Sequence, residues 1–192
     1  MSRSVRHALA FAVAAASLAC GGPERTDPIA VRDLDGAAVD ALAFEAPLAV
    51  FVFVRSDCPI SNRYAPELAR LHEAFTPRGV AFRLVYVDPR EAAPAIQAHR
   101  AEYGLAMVPL RDPEHALVTA SGVRVTPEVA VYRRAGERVY RGRIDDRFVA
   151  FGEMRPEPTR HDLADALRAL LAGGAPREAE TEAIGCFIAD LG

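Results

Sequence analysis

The sequence predicts an α/β fold built on a central mixed sheet flanked by helices. Three observations carry this. Residues 48–54 form an unbroken apolar run closed by polar residues, the mark of a strand buried on both faces. From Ser61 the period changes: Tyr64, Leu68, Leu71 and Phe75 recur at helical spacing and leave Arg63, Glu67, Arg70 and Glu73 outside. Residues 80–87, VAFRLVYV, make a second strand, and strand, helix, strand within one sheet implies a parallel right-handed crossover.

The remaining elements follow in order. Residues 1–19 read as an export signal, with Arg3 and Arg6 at a basic start and an apolar stretch over residues 8–18. That stretch is short of the roughly 20 residues a permanent membrane helix takes. Ser17-Leu18-Ala19-Cys20-Gly21 resembles the lipobox of bacterial lipoproteins, in which the cysteine becomes a lipidated N-terminus. Ser17 stands where that motif usually has leucine, and cleavage after Ala19 without lipidation also fits. Lipidation of Cys20 is the favoured expectation, followed by a linker over residues 20–28. Residues 29–44 predict a hairpin around Asp35-Gly36.

Beyond the second strand, residues 91–103 predict a helix stopped by Gly104, with His99 on its packed side. Residues 108–125 are irregular, with a turn at 110–114 and a short helix at 115–120. Residues 129–133 and 138–143 form an antiparallel hairpin around Ala135-Gly136. Asp145 and Asp146 invite a metal, but a solvated turn among arginines is the expected reading. Thr159 and Asp162 suggest a capping box opening a helix that points Leu163, Ala166, Leu167 and Leu170 at the sheet. Gly173, Gly174 and Pro176 stop it. One domain over residues 29–172 and a tail over 173–192 result. The tail turns apolar at residues 183–188, and Phe187 and Ile188 beside Cys186 argue that it docks.

Composition bounds the function. The 51% hydrophobic and 26% charged content fits one globular domain, and the net charge of −3 gives no electrostatic case for nucleic acid. All 23 basic residues are arginine, which excludes Schiff-base chemistry and a P-loop lysine. The three cysteines, Cys20, Cys58 and Cys186, have no zinc-site spacing, and no cofactor is called for.

Cys58 sits where the buried strand hands over to the helix, with Pro59 suited to the first turn. Unsatisfied N–H groups at a helix start favour thiolate over thiol, and thiolate is the nucleophile. Asp57 opposes ionisation, whereas Arg55 and Arg63 favour it. The alternative is a buried, inert cysteine.

This junction resembles the thioredoxin-like superfamily, whose Cys-x-x-Cys motif stands here as Cys58-Pro59-Ile60-Ser61. Pro66 matches the proline that kinks the thioredoxin helix. SDCPISNRYAPEL, and the Gly-Cys-aromatic-Ile stretch of the tail, are similar to bacterial redoxins related to alkyl hydroperoxide reductases and thiol antioxidants. The likeness spans residues 29–188 and implies a thioredoxin-like three-layer sandwich with an N-terminal β-hairpin. It also implies a cis proline at Pro127, facing the cysteine, with Thr126, Pro127 and Pro59 forming the surface where a partner docks.

With serine at position 61, Cys58 cannot close a disulfide within its own motif. The expected chemistry is thiol–disulfide exchange on a protein or small-molecule thiol or disulfide. Cys58 is the nucleophile, Cys186 the resolving thiol, and Ser61 a donor to the thiolate. A structural Cys58–Cys186 staple on an inactive scaffold is the blander alternative. Peroxiredoxins carry a Pro-x-x-x-Thr/Ser-x-x-Cys motif; here Phe51 and Arg55 occupy the key positions, so peroxidase activity is not expected. Thioredoxin-like copper-assembly proteins suggest another reading, with Cys58, Cys186 and either His115 or His161 holding Cu(I). The expected location is the periplasm or, with Cys20 lipidated, the periplasmic face of a bacterial membrane, touching lipid only through that anchor.

Overall fold

Every residue of the strand β3 (Leu48–Val54) is buried. Its alternate side chains serve two cores: Val50, Val52 and Val54 pack on one side of the sheet, and Ala49, Phe51 and Phe53 on the other. The computed structural model describes residues 28–189. The expected signal, Cys20 and all of the linker but residue 28 lie outside that range. No helix among the described residues is long and apolar enough to cross a membrane.

Among the described residues, seven strands form the main sheet, and β9 (Phe148–Ala150) and β10 (Glu153–Met154) form a separate antiparallel pair. β1 (Ala30–Arg32) and β2 (Ala38–Asp40) make the N-terminal hairpin. β4 (Val80–Tyr86) and β5 (Val108–Arg111) run parallel to β3, while β7 (Glu128–Arg133) runs antiparallel to β3 and β8 (Arg138–Gly142) antiparallel to β7. The spatial order is β2-β1-β5-β4-β3-β7-β8, a mixed sheet as expected. On one face lie α1 (Pro59–Arg63), α2 (Ala65–Phe75), α3 (Ala93–Glu102) and α5 (Asp162–Leu171). The opposite face carries α4 (Ala116–Ser121) and the tail residue Ile188. Helices, sheet, and helix with tail make three layers. Leu68 and Leu71 of α2 are fully buried against β3 and its neighbours, each contributing about 1.5–3 kcal/mol of transfer free energy.

The single helix expected from Ser61 is two helices. The break falls at Tyr64, and Pro66 explains it, because it lacks the N–H that would return to the Asn62 carbonyl. Gly79, at φ +86°, closes the 3₁₀ turn Thr76–Arg78 that follows α2.

Three expectations are corrected. Residues 108–111 are a strand rather than irregular chain. Pro109 argues against a strand, but β1 bridges β5 only at Arg32–Arg111, so no ladder partner is lost at Pro109 on that side.

The Asp145-Asp146 pair is not a solvated turn; both side chains are buried. Burial pushes the Asp146 carboxyl up. Hydrogen bonds from the Thr159 hydroxyl (2.5 Å) and from the N–H groups of Arg160 (2.9 Å) and Thr159 (2.7 Å), with Arg155 nearby, outweigh it and bring the group to about 2.

Those bonds also use up Thr159, so no Thr159–Asp162 capping box forms. His161 takes the N-cap position, and Asp162 instead accepts from Arg143 and Arg160, each at 2.7 Å.

Candidate functional site

Cys58 ends the turn after β3 and is the N-cap residue of α1, with Pro59 first in the helix. Its carbonyl accepts the Asn62 N–H at 3.1 Å, and its own N–H donates to the Arg55 carbonyl at 3.2 Å. The Thr126–Pro127 peptide bond is cis. It joins β6 (Val125–Thr126) to β7 and brings the Thr126 carbonyl oxygen to 3.0 Å from Cys58 Sγ.

The tail completes the site. β11 (Cys186–Phe187) pairs antiparallel with β6, Cys186 opposite Thr126 and Phe187 opposite Val125. Cys58 and Cys186 are joined by a disulfide, with Cα atoms 6.2 Å apart, across 128 positions of sequence. Cys58 is only 1% exposed under this cover, whereas Cys186 is partly exposed.

Two glycines let the tail sit so close. A Cβ at Gly185 would lie 2.4 Å from the Thr126 carbonyl oxygen. At Gly142 it would collide with Thr181, where the tail runs beside β8 and Thr181 N–H bonds the Arg141 carbonyl. Arg138 and Arg141 pair with Glu180, and Ile188 N–H bonds the Arg124 carbonyl, so the tail is held on both sides of Cys186.

The neighbours of Cys58 are organised differently from expectation. Arg55 spans Asp57 at 2.8 Å and Asp88 at 3.6 Å. Arg63 donates to Met154 Sδ. The Arg55 charge is therefore paired with carboxylates, while the Arg63 guanidinium meets only a neutral sulfur among the described residues, so the helix start and Arg63 are the features favouring a thiolate. The Ser61 hydroxyl is buried and has no hydrogen-bond partner among the described residues.

Two supports escaped the sequence reading. Tyr86 hydroxyl donates to His99 Nδ1, His99 Nε2–H donates to Asn62 Oδ1, and Asn62 Nδ2 donates to the Ser56 carbonyl, each at 2.9 Å. Burial pushes the His99 pKa down, so the ring stays neutral and holds this tautomer. The chain of bonds clamps α1 to the turn ahead of Cys58. Beyond the cis proline, buried Glu128 accepts the N–H groups of Arg124 (2.8 Å) and Val125 (3.4 Å), bracing β6 where the tail pairs. Burial pushes its carboxyl up. Glu128, Phe151, Cys186 and Phe187 line an open groove of about 750 Å³, and Phe151 and Phe187 stand exposed.

His115 and His161 are placed apart from the cysteines' chemistry. The His115 ring bonds the Val87 carbonyl at 2.8 Å, and His161 lies beside Glu67 and Asp145. Among the described residues, no group of three metal-ligating side chains includes Cys58 or Cys186.

Comparison with known proteins agrees with this architecture. The model of the AhpC/TSA family matches residues 24–141. An uncharacterised conserved protein from Geobacillus kaustophilus superposes with a TM-score of 0.72 at 25% identity, over 86% of this chain and 89% of that one. A hypothetical protein from Sinorhizobium meliloti 1021 gives 0.70 at 24%, over 86% and 92%. A secreted Mycobacterium tuberculosis disulfide oxidoreductase, homologous to E. coli DsbE, shares the fold at 0.50 and 23%, over 75% and 94%. No curated protein matches.

Proposed function

The chain belongs to the AhpC/TSA family, and from that premise we propose that it is an exported thiol–disulfide oxidoreductase whose exchanging pair is Cys58 and Cys186. One observation carries the reading. The bridge joins the strand–helix cysteine to a tail strand that pairs beside a cis proline, on the edge where an extended partner segment would add.

In the reductive direction the Cys58 thiolate attacks a partner disulfide. One partner sulfur leaves as thiolate, and a Cys58–partner mixed disulfide remains. Cys186 thiolate then attacks Cys58 Sγ, the second partner sulfur leaves, and the observed bridge closes. Two electrons pass to the partner, which takes up two protons. The oxidative direction is the reverse. Ser61, with its unpartnered buried hydroxyl, donates to the Cys58 thiolate. Thr126 and Pro127, buried beside the paired tail in the bridged form, join exposed Pro59 as the docking surface once β11 lifts, and exposed Phe151 and Phe187 offer apolar contact to a partner. Breaking the bridge frees β11 to lift, which uncovers Cys58.

Export belongs to the same proposal. Residues 1–19 direct it, Cys20 carries the lipid, residues 29–172 form the redox domain, and residues 173–192 supply the resolving tail. A stable bridge suits an oxidising compartment such as the periplasm.

The test is reversible exchange on the folded protein. After treatment with reduced glutathione, alkylation and peptide mass spectrometry should find Cys58 and Cys186 labelled together. Oxidised glutathione should then restore the bridge through a glutathione adduct on Cys58. A bridge that opens only under denaturing conditions would overturn the proposal in favour of a structural staple.

A further inference from the structure

Independently of the redox reading, we propose that Glu67, Asp145 and His161 bind a divalent transition-metal ion. Glu67 lies in the first turn of α2, Asp145 follows β8, and His161 caps α5. One ligand atom from each lies within 4.8 Å of the others.

Asp145 points most strongly to a ligand. The residue is 2% exposed, yet Oδ2 has no hydrogen-bond partner among the described residues. The other oxygen is fully employed. Oδ1 accepts the Tyr64 hydroxyl at 2.6 Å and the Arg147 N–H at 2.9 Å. A buried carboxylate oxygen left without a donor is costly unless a cation satisfies it. Tyr64 meanwhile does what an outer-shell partner does, fixing the carboxylate through the oxygen that already has its donors.

The donor set selects the ion. One imidazole nitrogen and two carboxylate oxygens suit zinc and neighbouring transition ions, whereas an imidazole disfavours magnesium and calcium. Ligand bonds of about 2.0–2.2 Å require the three groups to close slightly, and exposed His161 and partly exposed Glu67 have room to move. Glu67 must release Arg70, but that pair is surface-exposed on the arginine side, so it competes weakly. The bound ion would tie α2, the segment after β8 and α5 together and keep a coordination position for water.

Co²⁺ titration of the full chain tests this, with the Cys58–Cys186 bridge intact and any free thiol alkylated. One ion per chain is expected, with visible ligand-field absorption and no thiolate charge-transfer band. His161→Ala should fold normally by circular dichroism, because the side chain is exposed, and should weaken binding by about tenfold or more. Arg70→Ala should bind at least as tightly as the parent protein. No saturable uptake, or uptake that His161→Ala leaves unchanged, would overturn the site while leaving the cysteine chemistry untouched.

Discussion

Cys58→Ser should reduce disulfide-reductase turnover to background, a loss of about 10³-fold or more, because no other side chain at the junction can supply the nucleophile. Cys186→Ser should behave differently. It keeps the attacking thiolate, so the first half-reaction survives, and a mixed disulfide accumulates on Cys58. Stopped-flow release of a chromogenic thiol from a small aromatic disulfide separates the two. One equivalent should be released by Cys186→Ser and none by Cys58→Ser. Release of that equivalent by Cys58→Ser and not by Cys186→Ser would overturn the order of attack.

Gly185→Ala should uncouple the tail without touching either cysteine. Its Cβ would lie 2.4 Å from Thr126 O and 2.8 Å from Thr126 C, both backbone atoms that cannot swing aside. The β6–β11 pairing must open to admit it. Overpacking of this kind costs about 1–3 kcal/mol. That cost falls on the bridged form, where β11 must pair, and far less on a reduced form whose tail is released. The effective concentration of Cys186 at Cys58 should drop about tenfold or more, and the bridge should become easier to reduce by about 30 mV or more. An unchanged midpoint would mean that the tail's seat on β6 does not govern the disulfide.

The central strand and its cysteine are legible in the sequence because both signals are local. Residues 48–54 are apolar without interruption, and the period changes within seven residues of Val54. Docking of the tail is legible for a similar reason, since Phe187 and Ile188 break an otherwise polar end; Ile188 is buried, although Phe187 is 80% exposed. The cis bond at Thr126–Pro127 could be anticipated only from the order of elements and the resemblance to thioredoxins, because the cysteine that its Thr126 carbonyl meets lies 68 positions away.

What remained illegible depends on partners far along the chain. Asp146 reads as solvated until Thr159 and Arg160 supply its donors. His99 shows only as a packed histidine, and its place between Tyr86 and Asn62 emerges once α3 lies against α1. Gly185 looks like any tail glycine until the Thr126 backbone arrives. Glu67, Asp145 and His161 come from three separate elements, so no local spacing could unite them.

The exchange role of Cys58 and Cys186 is tested most directly by the midpoint potential of their bridge, measured by equilibrating the folded chain in glutathione and dithiothreitol buffers. An exchanging pair should titrate between about −120 and −270 mV, within the span of thiol–disulfide oxidoreductases. A midpoint below about −300 mV would place the bond among structural disulfides and contradict a catalytic role for the pair.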